Sequence, residues 1–299
     1  EVTNLRQALG GGPRLLVKRD DAIPFGFGGN KVRKLELVAA EAVAAGADTL
    51  VTVGSVQSNH ARVTAAVAAK LGLGCLIIIN GEKPDRRSGN SLLADLLGAE
   101  IEYVATREER PAAIRAAVER LRRIGRTPYA VPLGASTPLG ALGLVRSIGE
   151  LLGQLPAPDA IVHATSSGGT QAGLVAGCAL YGLETRVLGV SSDESAAEVE
   201  RAVRGIVVGA GDLLGCDGEA LAACALEVDD GFIGEGYGHP TAGSREAQRL
   251  AARSEALFVD HTYTAKALAA LIAYVRAGRF RDDQTVLFWH TGGQVGLFA

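Results

Sequence analysis

The segment Phe25-Gly26-Phe27-Gly28-Gly29-Asn30-Lys31-Val32-Arg33-Lys34-Leu35-Glu36 places a lysine where a glycine-rich loop runs into a helix-period stretch. Glycines there let other groups come close to the amine, so Lys31 could serve as a nucleophile or base. The plainer reading is a turn at Gly28 and Gly29 followed by a solvated helix start carrying Lys31, Arg33 and Lys34. Positive charge in a first helical turn opposes the helix dipole, which hints at an anionic companion. Ser166-Ser167-Gly168-Gly169-Thr170 follows a strand-like run at 160–164 and precedes a helix-like one at 171–180. Backbone N–H groups at that helix start could cradle a phosphate. It lacks a Walker lysine, which argues against a nucleoside triphosphate site, and a Ser/Thr-capped turn is the alternative. Gln57-Ser58-Asn59-His60 sits at the carboxyl end of another strand-like run, where open α/β sheets bind ligands. An amino-acid carboxylate fits there, and so does an N-cap followed by a polar turn. Asp260-His261-Thr262-Tyr263-Thr264 and His290-Thr291-Gly292-Gly293 put hydroxyls and imidazoles after two further runs. Tyr237 lies in a glycine-rich loop, where a packing role is the commoner one.

The elements that must position these groups alternate in type. Residues 14–18, 49–53, 75–79, 100–104, 129–132, 160–164, 186–190, 256–260 and 285–289 read as strands. Helix-period stretches such as 31–45, 59–71, 108–123 and 137–152 lie between them, a pattern of parallel sheets covered by helices. Residues 107–126 are charge-rich with the period of an exposed amphipathic helix. No tandem repeat or low-complexity linker interrupts the order, so two domains would have to be interleaved.

Composition removes several classes. The 299 residues are 47% apolar, enough for a sizeable core, and the net charge of -3 comes without a Lys/Arg block. A nucleic-acid or anionic-membrane surface has no electrostatic footprint, which leaves a small-molecule partner. The longest apolar runs are too short for a bilayer and the first residues lack signal-peptide order, so the cytoplasm is expected. The chain has no methionine and does not begin with one, which suggests a processed or trimmed copy. Cys75, Cys178, Cys216 and Cys224 form no C-x-x-C pair and read as free buried thiols. His60, His163, His239, His261 and His290 show no ligand spacing, so no metal is expected. Val207-Val208-Gly209-Ala210-Gly211-Asp212-Leu213-Leu214-Gly215 is a loose dinucleotide fingerprint, with Glu227 and Asp229 roughly where a ribose-binding acid would lie. Its third glycine is one position late and its strand short, so an NAD-dependent oxidoreductase is the minor alternative.

Taken in order, G-G-N-K-V-R-K-L-E, Q-S-N-H-A-R, S-S-G-G-T-Q-A-G-L, D-H-T-Y-T-A-K-A and H-T-G-G resemble the D-cysteine desulfhydrase and 1-aminocyclopropane-1-carboxylate (ACC) deaminase family. The likeness spans nearly the whole chain; only the family's opening segment before residues 14–18 is missing. These are fold-type II pyridoxal phosphate enzymes, similar in architecture to the tryptophan synthase β subunit. The resemblance implies an α/β fold of two open, twisted, mostly parallel sheets with flanking helices and the cofactor in the interdomain cleft. Residues 1–34 and 141–299 would form the large domain and 35–140 a small inserted one. Lys31 would carry pyridoxal 5'-phosphate covalently, Asn59 would support its ring, and Ser167, Gly168, Gly169 and Thr170 would hold its phosphate. Thr264 and Thr291 would lie beside the pyridine nitrogen. Ser58, Asn59 and His60 would face the substrate carboxylate. Ser58, Tyr237 and Tyr263 would join Lys31 at the reacting face, and a homodimer is implied.

The deaminase branch typically has glutamate, leucine and glutamine where this chain has Thr264, Thr291 and His60. A carboxylate beside the pyridine nitrogen keeps it protonated and makes the ring a strong electron sink; a neutral hydroxyl does so less. The weaker sink suits β-elimination. The expected course has the substrate amine displace Lys31, whose freed amine takes the α-proton before the β-substituent leaves. D-cysteine giving pyruvate, hydrogen sulfide and ammonia is the leading expectation. ACC ring opening, L-cysteate desulfonation and elimination from D-serine or a chlorinated alanine use the same groups, and a non-catalytic amino-acid-binding protein is the reading from another class. Lysine's ordinary pKa of about 10.4 would leave Lys31 protonated at neutral pH, so the site has to lower it or use it at once.

Overall fold

The computed structural model describes residues 1–223 and 226–299. Its strands are β1 (Arg14–Arg19), β2 (Thr49–Ser55), β3 (Gly74–Asn80), β4 (Glu100–Val104), β5 (Pro128–Ala130), β6 (Ala160–Thr165), β7 (Arg186–Ser191), β8 (Leu226–Asp229) and β9 (Thr285–His290). Its α-helices are α1 (Thr3–Ala8), α2 (Asn30–Ala44), α3 (Asn59–Leu71), α4 (Gly89–Leu96), α5 (Arg110–Arg123), α6 (Pro138–Leu152), α7 (Gly169–Leu180), α8 (Ala196–Leu214), α9 (Gly218–Ala222), α10 (Ala242–Glu255) and α11 (Thr264–Arg276). The strands form two sheets, β1-β9-β6-β7-β8 and β4-β3-β2-β5. Every pairing is parallel. Buried apolar clusters fill both faces of each sheet, which is why β2 and β6 are buried almost end to end instead of in alternation.

Helix α6 ties the pieces of the site together through glycines. A Cβ at Gly143 would collide with the carbonyl of Arg33 in α2, and one at Gly173 of α7 would collide with the carbonyl of Ala141 in α6. With no side chain at either point, α6 lies directly against both neighbours. The helix bearing Lys31 and the helix that opens after the serine-glycine turn are therefore held by one common partner.

The observed elements depart from expectation in two places, and the fold locates two further features of the sequence. Residues 256–260 form no strand: Leu257 and Val259 point into the core in strand-like alternation, but Gln248 Nε2 donates to the Val259 carbonyl and the His290 ring meets that of Phe258. Strand β8, which the composition of 226–229 does not announce, completes the first sheet instead. The glycine-bearing run at 207–215 lies inside α8 and its C-cap, Gly215. No strand-turn-helix exists there to hold a dinucleotide. Cys75 and Cys178 are buried as expected, Cys216 is exposed, and Cys224 lies outside the described residues.

Candidate active site

The amino end of α2 is anchored before it is functional. The buried Asp20 carboxylate accepts from Arg33 Nε and Trp289 Nε1, both at 2.9 Å, while its main-chain carbonyl accepts from Gly29 N at 2.8 Å. Asn30 N donates to the Thr291 carbonyl at 3.0 Å, fastening the same segment to the end of β9. From the other side, the fully buried Arg62 of α3 donates to the carbonyls of Gly26 and Gly28. The glycine loop and the start of α2 are thus held from three sides, by the main-chain carbonyls of Asp20 and Thr291 and by the Arg62 guanidinium, which orders a segment whose composition alone would leave it loose.

Lys31 projects from this anchored start into a pocket at the carboxyl ends of both sheets' strands, the side where open parallel sheets bind ligands. Desolvation lowers the pKa of its amine from 10.5 to about 8, against a hydrogen bond to Lys34 that raises it. One helical turn on, Lys34 is fully buried, and its Nζ donates to Ser136 Oγ at 3.1 Å and to the Gly134 carbonyl at 3.2 Å. Burial, and then the charge of Lys31, hold the Lys34 amine well below its usual range.

The serine-glycine turn faces these two amines. Gly168 takes φ +78° as the N-cap of α7, and no side chain caps the helix. Gly169 N turns back to the Ser167 carbonyl at 3.0 Å, and the N–H groups that follow it in the first turn are left for a ligand. Ser136 Oγ lies 2.7 Å from Ser167 Oγ, and Asn30 Nδ2 donates to Thr170 Oγ1 at 2.7 Å. A Cβ at Gly134 would be 2.6 Å from Ser167 Oγ and 3.5 Å from Lys31 Nζ, so both side chains converge on one point. The buried Thr165 hydroxyl, also in the lining, has no partner.

At the amino end of α3, Ser58 is the N-cap and its hydroxyl accepts from Ala61 N at 3.2 Å. The capping and ligand readings of this residue are compatible, because Ser58, Asn59 and His60 all line the pocket. His60 has a defined tautomer. The Thr52 hydroxyl donates to the Val131 carbonyl at 2.9 Å, so it must accept from His60 Nε2 at 2.8 Å. Nδ1 is then a bare acceptor, buried and without a partner, and burial followed by the charges of Lys31 and Lys34 keeps the ring neutral. Across the pocket Tyr237 and Tyr263 share a 2.6 Å hydrogen bond between hydroxyls, with Ser55 Oγ 3.2 Å from Tyr237. Burial, then the Tyr237 hydroxyl, pushes the Tyr263 pKa well above its ordinary value, so this phenol keeps its proton.

Of the residues singled out in the sequence, Lys31, Ser58, Asn59, His60, Ser167, Gly168, Thr170, Tyr237, Tyr263 and Thr291 share this one pocket. Gly169 lies behind it as the first residue of α7. Thr264 is adjacent but outside the lining: its hydroxyl donates to Asp260 Oδ1 at 2.7 Å and accepts from Asp260 N at 2.9 Å. Lys34, Ser136, Arg107 and Arg110 went unrecognised. Lys34 could have been found from its i,i+3 spacing to Lys31, which puts both on one helix face. Ser136 and the arginines come from connections whose position only the fold reveals. Helix α5 lies on the surface with one apolar face, centred on Ala117, packed on the second sheet, as its amphipathic pattern suggests, and its first residue reaches the pocket.

The donors present fit a phosphorylated aldehyde. An uncapped helix start, two hydroxyls and a buried lysine that a dianion would keep protonated suit the phosphate, an amine of lowered pKa suits the carbonyl carbon, and the neutral Thr291 hydroxyl is available to a ring nitrogen. Among the described residues no group of three His, Cys, Asp or Glu side chains is placed to hold a metal ion. None of their helices is long and apolar enough to cross a membrane.

Comparison with known proteins gives one family match and several structural likenesses. The family model described as pyridoxal-phosphate dependent enzyme matches residues 1–292. A solved ACC deaminase homologue shares 34% identity over 99% of this chain and 89% of its own, with a TM-score of 0.92. Two more distant structures share the fold. They are a processed threonine deaminase, isoform 2, from Solanum lycopersicum (16% identity, 98% and 77% of the two chains, TM-score 0.70) and an L-serine ammonia-lyase from Rhizomucor miehei (18%, 99% and 92%, TM-score 0.68).

Proposed function

The chain belongs to the pyridoxal-phosphate dependent enzyme family, and on that premise we propose that it catalyses α,β-elimination on a small amino acid, D-cysteine foremost, giving pyruvate, hydrogen sulfide and ammonia. The observation that carries the proposal is the convergence of the Lys31 amine and Ser167 on Gly134, in one pocket with the tyrosine pair. Ser167, Thr170, Lys34 and the N–H groups of α7 would hold the cofactor's phosphate, with Gly168 shaping the turn, Gly169 opening the helix and Asn59 and Thr291 beside the ring. When bound, the cofactor draws electrons from the substrate's α-carbon, which is what makes loss of the α-proton feasible.

The protein's own groups do the rest. The unpaired N–H groups at the start of α3, with Ser58 and Asn59, bind the α-carboxylate. Lys31 takes the α-proton on Nζ; with a pKa of about 8, about a tenth of the free amine is neutral at pH 7. The Cβ–S bond then breaks with its electron pair on sulfur, and Tyr263, still protonated, would donate a hydrogen bond to the departing atom. Hydrolysis of the released enamine consumes one water and yields pyruvate and ammonia. The two hydroxyls from the large sheet's side and Ser55 from β2 meet across the cleft, where they exclude water from the reacting carbon.

Neutral His60 and Thr291, in place of the deaminase branch's glutamine and leucine, support elimination from D-cysteine over ACC ring opening; Thr264, at the position of that branch's glutamate, is committed to Asp260. Assaying D-cysteine, L-cysteine, ACC and L-cysteate side by side, with Lys31→Ala as the blank, tests the proposal. Pyruvate and sulfide from D-cysteine support it, and 2-oxobutanoate from ACC as the dominant product overturns it. A homodimer belongs to the same proposal by family likeness, and light scattering on the purified protein tests it.

A further inference from the structure

We propose that Arg110, steadied by Asn80, forms an anion subsite beside the tyrosine pair, and that the preferred substrate bears at its β-carbon an acidic group that departs as an anion. The inference rests on the elimination reading above and narrows its substrate class. Two arginines from the connection into α5 line the pocket, and their surroundings differ. Arg107 is already compensated: its guanidinium nitrogens lie 3.5 Å from Asp193 and 3.6 Å from Glu194, and its plane stands 5.4 Å over the Tyr237 ring. Arg110 has no carboxylate at ion-pair distance among the described residues.

Arg110 Nη2 donates to Asn80 Oδ1, while its Nε–H is buried with no acceptor. A buried guanidinium N–H left without a partner is uncommon, and a guanidinium never loses its charge to escape the cost. The same side chain lines the pocket with no carboxylate at ion-pair distance among the described residues, so an anionic ligand there can supply the compensation its charge lacks. Arg110 lines the same pocket as the hydrogen-bonded pair of Tyr237 and Tyr263. Those are the groups assigned to the β-carbon, whereas the α-carboxylate has its own donors at the start of α3. An arginine in that position favours a substituent that is acidic or becomes so on leaving, such as a thiol leaving as hydrosulfide or a sulfonate leaving as sulfite. The electron pair of the breaking Cβ–S bond goes to sulfur, and Arg110 receives the charge. A neutral hydroxyl gains less.

The test is calorimetric titration of the holoenzyme with 3-sulfopropanoate and with butanoate, neither of which has an amine to engage the cofactor. At least a tenfold tighter binding of 3-sulfopropanoate is expected, the low end of what one charge-assisted hydrogen bond contributes. In Arg110→Gln that preference falls below about threefold, and Arg110→Lys retains part of it. Equal binding of the two probes by the unmodified protein overturns the proposal, as does an undiminished preference in Arg110→Gln. Equal weakening of both probes in that variant would assign Arg110 to the shared carboxylate and overturn it too. Since neither probe is turned over, this result stands or falls apart from the pyruvate assay.

Discussion

Replacing Lys34 by methionine separates a cofactor-binding cation from a mere core lysine. The side chain is fully buried, its Nζ donates to Ser136 Oγ and the Gly134 carbonyl, and Lys31 lies beside it. Without a phosphate the position is unfavourable: desolvation and then Lys31 hold the Lys34 amine below its ordinary pKa, so the folded apoprotein releases a proton that the unfolded chain would keep. Stability tied to that group is thus diminished at neutral pH and recovers as pH rises toward 10.5. Methionine has similar length and no charge, so Lys34→Met should leave the apoprotein's thermal midpoint unchanged or raise it. With cofactor the sign reverses. One lost charge-assisted contact to phosphate is worth about 1.5–3 kcal/mol, a weakening of roughly tenfold to 150-fold in the dissociation constant. At saturation the cofactor-induced rise in thermal midpoint should shrink by about 4 °C for a loss near 2 kcal/mol. Fluorescence titration of apoprotein and paired melting curves measure both quantities. A variant that binds pyridoxal phosphate as tightly as the unmodified protein would refute the assignment of Lys34 to the phosphate.

Other perturbations follow from the structure. Gly169→Ala puts a Cβ 2.6 Å from Ser136 Oγ and 2.7 Å from its Cα, so the start of α7 must shift and cofactor affinity should fall at least about tenfold; Gly205→Ala, with open space around it in α8, should instead stabilise by roughly 0.5–1 kcal/mol. Thermal stability should fall as pH drops from about 6.5 toward 4, because burial holds His163 down to about 4 and His60 well below its usual value, and the unfolded chain protonates both before the fold can. Each such histidine contributes about 1.4 kcal/mol per pH unit within that window. Replacing His163 by asparagine, which keeps a donor near Nδ1, should make the decline measurably shallower, and an unchanged slope would contradict it.

Most of the architecture was legible because parallel strands buried on both faces are uniform apolar runs, and eight of the nine expected strands fall on observed ones. The exception, residues 256–260, carries a strand's alternation of burial but meets side chains where a ladder partner would be. Periodicity reports which side of a segment is buried, not what its backbone bonds to. The decoy at 207–215 failed for a related reason: glycines that resembled a dinucleotide turn serve close packing in α8, where a Cβ at Gly209 would press on Pro138 and one at Gly211 on Gly218. Site residues at strand ends were legible because their types cluster locally. Thr264 shows the limit, since its place beside Tyr263 says nothing about Asp260 claiming its hydroxyl. Arg110 shows the converse. In sequence it opens a solvated, charge-rich helix, and only the fold brings it against Asn80 at the end of β3 and into the pocket of the tyrosine pair.

The claim on which the account turns is that Lys31, and no other amine, bonds to the cofactor. Borohydride reduction of the holoenzyme, followed by digestion and mass spectrometry of the peptide spanning residues 25–36, tests it most directly. The account predicts a single reduced pyridoxal phosphate adduct on Lys31. An adduct on Lys34, three residues away in the same pocket, or the absence of any adduct would contradict it.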